Sequence, residues 1–259
     1  SQLNVYLDVL SNDKKTSYLM PLYLEITKEF DKKQINNALN DILKAHTILT
    51  MCISEEKEIP YLVKGKKPPI CFKSKIYENE LIEFLTEPFD LYKYLSRFLI
   101  IENRDSYSIY GVFHHIIFDA ISYEVFKEDL IEILQGKSKV AEETFLEVSA
   151  FSQAIKNTEE YDNAQAFYDL MLADIEETGI LLESISSDGP GEKYSDLELS
   201  QDKIKASLEK WGISENVLFT SSFAYTLSRF VASDKVLFNI VENGRDRFNN
   251  FNSIGMYVN

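Results

Sequence analysis

Residues 113–122 read FHHIIFDAIS, and this stretch contains two of the three histidines of the chain. His114 and His115 stand at the end of residues 106–113, an apolar run that is typical of a β-strand. If strand geometry continues through both histidines, their side chains point to opposite faces of the sheet. One imidazole would then lie inside the fold while the other faces an open side. Asp119 follows in a short turn, where its carboxylate can orient an imidazole or pair with a distant cation.

The histidine pair has competing interpretations when it is taken alone. Ordinary packing at a strand end is the favoured one, because nothing else in the immediate pattern requires chemistry. A zinc site is disfavoured, since His46 is the one remaining histidine and no third or fourth ligand stands at a suitable spacing. A serine hydrolase of the usual design would carry a G-x-S-x-G motif, and a nucleotide-binding protein a glycine-rich phosphate loop. The sequence contains neither.

The sequence before the histidine pair predicts a mixture of strands and helices. Residues 97–101 and 106–113 fit a hairpin, and residues 18–30 fit another strand. Asp31 and Gln34 have capping-box spacing, so a helix is expected to begin at Asp31. The apolar stripe of this helix follows the 3.6-residue period and consists of Ile35, Ala38, Leu39, Ile42 and Leu43.

After the histidine pair, Ser122 is predicted to cap a helix that runs to Gln135, with Gly136 just past its end. The remaining predicted strands are residues 47–53, 59–63, 193–199 and 235–241. The remaining predicted helices are residues 80–86, 143–156 and 161–176, one that ends near residue 211, and residues 217–231. The last of these is apolar on most faces, so it is expected to be buried all round. Strands and helices that mix without a strict βαβ order favour an α+β fold.

Composition limits the function classes. The 259 residues suffice for one large or two small domains, and 45% of them are hydrophobic, enough for a sizeable core. The net charge of −15 disfavours nucleic-acid binding, because such a chain repels phosphate backbones. The densest basic stretch contains Lys64, Lys66 and Lys67, and we interpret it as a solvated loop.

Cys52 and Cys71 lie in apolar runs without paired spacing, so we interpret them as reduced core residues of a cytosolic protein. No signal segment opens the chain, and no apolar run reaches the ~20 residues that a membrane span requires. We therefore expect a cytoplasmic protein with neither membrane nor nucleic-acid partners.

Several segments together carry a family resemblance. Residues 113–122 resemble the HHxxxDG signature of the superfamily that contains condensation domains and chloramphenicol acetyltransferase. In a free-standing acetyltransferase of that type the histidine motif lies near the C-terminus, whereas here it lies before mid-chain. The order of the other segments is similar to that of condensation domains of nonribosomal peptide synthetases: residues 1–7 (SQLNVYL) resemble the opening helix, 46–49 (HTIL) the second motif, 145–153 loosely the fourth, and 243–245 (NGR) with 254–259 (IGMYVN) the fifth.

The resemblance implies an α+β, two-lobed, chloramphenicol-acetyltransferase-like sandwich with a mixed sheet and flanking helices. Residues 1–185 would form the N-terminal lobe with the HHxxxDA motif, and residues 186–259 a partial C-terminal lobe. The boundary falls at residues 186–191 (SSDGPG), the clearest linker in the sequence. Because the chain stops at the fifth motif, we expect an incomplete second lobe, exposed apolar surface and self-association.

The resemblance also implies roles for individual residues. His115 is the expected active-site imidazole at the floor of a cleft. It would steer or accept the proton of an attacking amine, or stabilise a tetrahedral oxyanion, and the sequence leaves both roles open. His114 would be structural. Asp119 would be structural too, through a buried ion pair with Arg245 of the second lobe.

The implied reaction is amide formation between a donor acyl thioester and an acceptor aminoacyl thioester. Both would be tethered to phosphopantetheine arms of carrier domains, the expected partners together with neighbouring synthetase domains, and no metal or directly bound cofactor is required. Three positions depart from the family pattern: Ala120 replaces the signature glycine, and Ala45 and Thr50 replace two arginines of the second motif. Two alternatives stay open: a related coenzyme-A-dependent acyltransferase of the same superfamily, and a non-catalytic carrier-docking domain, which these three departures favour.

Overall fold

The structure is a computed structural model that describes residues 2–11, 16–139, 144–173, 194–196, 198–245 and 251–258. The chain forms two compact units. The first comprises Ser1–Asn157 together with Val241–Asn259, and the second comprises Thr158–Ile240. The linker predicted at residues 186–191 lies outside the described residues, so a boundary between residues 185 and 186 stays a prediction.

The first unit is built around a four-stranded mixed sheet. Its strands, in spatial order, are β1 (Leu19–Thr27), β6 (Ser106–His114), β5 (Ser96–Glu102) and β4 (Ile70–Lys73). The pair β4–β5 is parallel, and the other two pairs are antiparallel. Because β6 lies between two partner strands, its backbone is paired on both sides, and seven of its nine residues are buried. A separate hairpin consists of β2 (Met51–Glu56) and β3 (Ile59–Lys64).

Helices pack around the sheet of the first unit. The predicted capping box of α2 is present: the Gln34 N–H donates to Asp31 Oδ1 at 2.7 Å, and the Asp31 N–H donates to Gln34 Oε1 at 2.8 Å. The five residues of the predicted apolar stripe of α2 are all buried, and α2 contacts α4. The helices of this unit are α1 (Gln2–Ser11), α2 (Lys32–Ala45), α3 (Glu78–Thr86), α4 (Ala120–Leu134) and α5 (Thr144–Ala154). Short 3-10 turns cover Thr47–Thr50, His115–Ile117 and Ile155–Asn157.

Three local predictions for the first unit were wrong. The strand expected at residues 47–53 begins only at Met51, because residues 47–50 form a 3-10 turn. The cap of α4 is Asp119 rather than Ser122, since the Asp119 carboxylate accepts from the Ser122 N–H at 2.8 Å. Cys52 is buried as expected, but Cys71 is exposed, because successive side chains of β4 alternate between the covered and the solvent-facing side. Both thiols are free.

The second unit contains α6 (Glu159–Leu172), α7 (Gln201–Trp211) and α8 (Glu215–Phe230). The prediction that residues 217–231 are buried all round was wrong, since α8 has no buried residue and Phe223 and Tyr225 are 55% and 63% exposed. A helix that is apolar on most faces becomes buried only where other elements cover it, and within the described part of this unit α7 is its main helical contact. No strand forms in the described residues of the predicted strands at 193–199 and 235–241.

Exposed apolar side chains in the second unit favour association between molecules, and self-association stays a prediction. Among the helices that the structure describes, none is long and apolar enough to cross a membrane.

The candidate active site

The first element of the site is His114, the last residue of β6. The residue is 1% exposed, and its backbone N–H donates to the Leu95 carbonyl at 2.8 Å. Its Nδ1 accepts a hydrogen bond from the Ile116 N–H at 3.1 Å, so this nitrogen carries no proton in the neutral ring. The proton is therefore on Nε2, which is buried and has no hydrogen-bond partner within the described residues.

Burial determines the charge of His114. Removal from water, and secondarily the neighbouring His115, lower the pKa of His114 from 6.5 to about 4. The ring is thus neutral near pH 7 and has no open route to a substrate, which supports the structural role expected for it.

A titration tests this assignment. In the unfolded chain His114 takes up a proton near its ordinary pKa of 6.5, whereas in the folded chain it stays neutral down to about pH 4. The contribution of the neutral His114 ring to the free energy of unfolding is therefore complete above pH 6.5. It is lost as the pH falls between these two values, at up to about 1.4 kcal/mol per pH unit. We expect ¹⁵N NMR of the His114 ring to show a neutral imidazole at pH 5.5. A ring already protonated at pH 6 would contradict the expectation.

His115 does not continue the strand, so the geometric premise of the opposite-face argument was wrong. It begins the 3-10 turn His115–Ile117, and its backbone N–H donates to the Tyr18 carbonyl at 2.8 Å. The two rings nevertheless differ in burial, since His115 is half-buried whereas His114 is buried. The Nδ1 atom of His115 is buried without a hydrogen-bond partner within the described residues, so the accessible edge of the ring carries Nε2.

Two residues that hold this turn were not predicted as site residues. The ring of Tyr18 lies against both imidazoles, with centroids 6.1 Å from His114 and 6.5 Å from His115. The Tyr18 hydroxyl donates to Asp8 of α1 at 2.8 Å. From the same helix, the Gln2 side-chain amide donates to the Ile116 carbonyl at 2.6 Å. The match of residues 1–7 to the opening helix was the available signal for Gln2, while no local pattern distinguishes Tyr18 from an ordinary strand-end aromatic.

The turn is also closed by two phenylalanines on either side of the histidine pair. Phe113 and Phe118 stack with ring centroids 3.9 Å apart, and both are completely buried. Because the chain must leave and return to this stack within a few residues, the backbone of the two histidines is confined to a tight turn.

The second part of the site is a buried ion pair. Arg245 Nη2 lies 2.7 Å from Asp119 Oδ1, and the two side chains are 0% and 1% exposed. The Asp119 carboxylate also accepts from the Ser122 N–H and hydroxyl, each at 2.8 Å, and from the Tyr257 N–H at 3.1 Å. The ion pair expected between Asp119 and Arg245 is therefore present. Both residues belong to the first compact unit, so the pair joins residues 241–258 to α4 within that unit.

The segment that carries Arg245 is tied to α4 at further points. Arg245 Nη1 donates to the Ser253 carbonyl at 2.7 Å, and its guanidinium carbon lies 4.2 Å from the centroid of the Tyr257 ring. The Ser122 hydroxyl oxygen accepts a hydrogen bond from the Gly255 N–H at 3.0 Å. Gly244 has φ +64°, and a Cβ atom there would lie 2.3 Å from the Tyr257 carbonyl oxygen. Glycine is required at this position, because any side chain would be strained and would collide with the backbone that positions Arg245.

The departures from the family pattern have local explanations. Ala120 is the first residue of α4, its side chain is exposed, and it is not among the residues with positive φ, so alanine replaces glycine without strain. Ala45 is buried at the end of α2. The Thr50 hydroxyl donates to the Thr47 carbonyl at 2.8 Å.

His46 lies in a different network from the other two histidines. It is buried, and its Nε2 is 2.6 Å from Asp129, whose other oxygen pairs with Lys139 at 2.5 Å. Burial raises the pKa of the Asp129 carboxyl, but hydrogen bonds from His46 and Lys139 outweigh burial and lower it. His46 therefore connects the end of α2 to α4 and is not part of the candidate site. Within the described residues, no group of three or more potential ligands is arranged to hold a metal ion.

Comparison with known proteins identifies the family. The family model described as "Condensation domain" matches residues 1–259. The chain belongs to the condensation domain family. Bacitracin synthase 3 of Bacillus licheniformis is 22% identical over 264 residues, which cover 95% of this chain and 4% of that protein.

Solved structures show the same fold. The condensation domain of the Monacolin K polyketide synthase aligns with a TM-score of 0.78 at 12% identity, over 100% of this chain and 65% of that one. The first condensation domain of the calcium-dependent antibiotic synthetase, in complex with a substrate analogue, aligns with a TM-score of 0.70 at 18% identity, over 100% and 66%. The predicted α+β, chloramphenicol-acetyltransferase-like fold with a mixed sheet is confirmed. The chain spans less than two thirds of these solved chains and a small part of the synthase.

Proposed function

We propose that the chain contributes the histidine-bearing part of an acyltransferase that forms amide bonds between two carrier-tethered substrates. The observation that carries this proposal is the contrast within the histidine pair. His114 is buried, neutral and fixed by the Ile116 N–H, whereas His115 is half-buried with one accessible edge. The family membership of residues 1–259 supports the same reaction class.

In the proposed reaction, the amine nitrogen of the acceptor attacks the carbonyl carbon of the donor thioester. A C–N bond forms, the C–S bond breaks, and the amine loses a proton while the departing thiolate gains one. The Nε2 edge of His115 can accept or steer the amine proton, or donate a hydrogen bond to the tetrahedral oxyanion. The contacts of Tyr18 and Gln2 with the turn keep the ring in place before substrate arrives, which lowers the cost of positioning at the reaction step.

The ion pair has a positioning role in this proposal. Asp119 caps α4, which begins directly after the His115 turn, and Arg245 fixes the Asp119 carboxylate from the far end of the chain. Neither residue needs to touch the substrate. The phosphopantetheine arms act as tethers of the substrates, and carrier domains with the neighbouring synthetase domains are the proposed partners.

A transfer assay on the intact polypeptide tests the proposal. One carrier domain is loaded with an acyl group and the other with an aminoacyl group, and the carriers are weighed by intact-protein mass spectrometry. We expect the acyl mass to appear on the aminoacyl carrier as an amide stable to hydroxylamine. Transfer from coenzyme A to a free alcohol, without carriers, would instead indicate the related acyltransferase. Carrier binding without any transfer would indicate a docking domain.

A further inference from the structure

A cleft of about 540 Å³ lies in the first unit, at the base of the β2–β3 hairpin. It lies between the C-terminal part of α2, the 3-10 turn Thr47–Thr50 and the residues that follow β3. Its polar lining consists of Asn40, Lys44, Thr47, Thr50, Lys64 and Lys67. The candidate active site contributes none of these residues. The cleft includes part of the basic stretch at residues 64–67 that the sequence suggested to be a solvated loop.

The lysines of this cleft differ in their partners. Lys44 pairs with Asp41 at 2.7 Å, so its charge is neutralised. Lys64 and Lys67 are exposed, and neither has a carboxylate within 4.0 Å among the residues that the structure describes. In a chain of net charge −15, two unneutralised ammonium groups beside one cleft are a local reversal of sign.

Charge is separated along the hairpin. The acidic residues Glu55, Glu56 and Glu58 lie at its tip, where Glu56 pairs with Ile59, whereas Lys64 pairs with Met51 at its base. Five steps of strand separate the two ends, a distance of about 17 Å. This exceeds the Debye length of about 8–10 Å at ordinary ionic strength, so the acidic tip does little to neutralise the cleft. The C-terminal end of α2 adds a small negative potential, which the lysines outweigh.

The backbone that carries the lysines is held in place. The Gly65 N–H donates to the Thr50 carbonyl at 2.8 Å, and the Lys66 N–H donates to the Lys93 carbonyl at 3.2 Å. A Cβ atom on Gly65 would lie 2.9 Å from the Lys93 carbonyl oxygen and 3.0 Å from Cys52, so glycine allows this close approach. Lys64 and Lys67, one residue before and two residues after Gly65, thus extend from a fixed edge of the cleft.

Uncommitted hydrogen-bond donors complete the lining. The Thr47 hydroxyl has no hydrogen-bond partner within the described residues, and the Asn40 amide uses one N–H for the Asn36 carbonyl at 2.6 Å and retains another. Leu43 and Met51 add apolar wall. Ammonium groups and hydroxyls are suited to phosphate oxygens, and the volume exceeds that of a bare phosphate and falls in the range of small-molecule sites.

We propose that this cleft is a binding site for the phosphate group of a small organic phosphate. Lys64 and Lys67 supply the charge, and Thr47 and Asn40 supply neutral donors. A pantetheine-type arm and a nucleotide both carry such a phosphate, and the probes below distinguish these two sources. The site does not depend on the chemistry of His115, so it stands or falls separately from the proposed function.

Isothermal titration of the intact chain tests the site, with 4′-phosphopantetheine, coenzyme A, adenosine monophosphate and inorganic phosphate as probes. We expect at least one organic phosphate to bind, and binding to weaken with added salt. The variant Lys64→Gln/Lys67→Gln is expected to lower the affinity by about 25-fold, from about fivefold for each charge removed near a solvated anion. The matched control Lys203→Gln/Lys205→Gln removes two exposed lysines of α7 and should leave the affinity within about twofold.

The outcomes separate cleanly. Binding of phosphopantetheine and coenzyme A without adenosine monophosphate supports the site with a pantetheine-type ligand. Binding of adenosine monophosphate without phosphopantetheine supports the site with a nucleotide. An equal loss in both double variants would mean that only net charge matters, and would overturn the site. So would the absence of binding for every organic probe. A parallel titration of His115→Ala, expected to bind normally, keeps this result independent of the transfer assay.

Discussion

His115→Ala is expected to lower the rate of acyl transfer in the intact polypeptide by about 10²–10⁴-fold, the usual contribution of a positioned acid or base. The free energy of unfolding should change by less than about 1 kcal/mol. The reason is that the half-buried ring makes no hydrogen bond through its buried Nδ1 atom, so its removal leaves no described partner unsatisfied. Single-turnover kinetics with pre-loaded carriers measures the chemical step directly.

A second variant at this position separates the two roles left open for the imidazole. Glutamine can donate a hydrogen bond to an oxyanion but cannot accept a proton at neutral pH. If His115 stabilises the oxyanion, His115→Gln should retain much of the rate, whereas if it is the base, the rate should fall as far as in the alanine variant. An unchanged rate in His115→Ala would refute the assigned role, since no other described imidazole reaches an open side of this turn.

Asp119→Ala is expected to lower the free energy of unfolding of the first unit by about 3–5 kcal/mol. The substitution leaves the guanidinium of Arg245, which is 0% exposed, without the carboxylate 2.7 Å away. It also removes the cap of α4 and the acceptor for the Tyr257 N–H. Hydrogen exchange of β6 amides is the suitable measurement, because it reports on the first unit alone and not on a mixture of both units.

Two comparisons show whether the buried charge causes this loss. Lys28→Ala breaks an exposed pair with Glu102 of the same 2.7 Å length and should cost far less stability than Asp119→Ala, because both charges stay solvated. The double variant Asp119→Ala/Arg245→Met removes the stranded charge together with its partner and should recover part of the stability. A loss in Asp119→Ala no larger than that in Lys28→Ala would contradict the expectation.

Local patterns were sufficient for many elements of the first unit. The spacing of Asp31 and Gln34 predicted a capping box, and the five apolar residues after it predicted the buried face of α2, because both depend on contacts within one helical turn or two. The hairpin of β5 and β6 followed in the same way from two apolar runs around a short polar turn. In the second unit, by contrast, α8 was correctly placed but wrongly expected to be buried, since burial depends on what packs against a helix.

The candidate site shows the same division. The adjacent histidines, Asp119 and the NGR segment were recognisable as a pattern, and the pattern predicted the ion pair across 126 positions of the chain. It did not predict that the strand ends at His114, nor that Tyr18 and Gln2 hold the following turn.

Residue identities alone were enough to specify the family, the α+β class, the histidine pair and the partners of the Asp119–Arg245 bridge, since motif and periodicity are written in short stretches of chain. Tertiary packing decided which imidazole is buried and which has an accessible edge, because desolvation arises from atoms brought together from distant segments. The same packing gathered Lys64, Lys67 and Thr47 around one cleft. No local pattern could show this, since helix, turn and hairpin base meet there only in the folded chain.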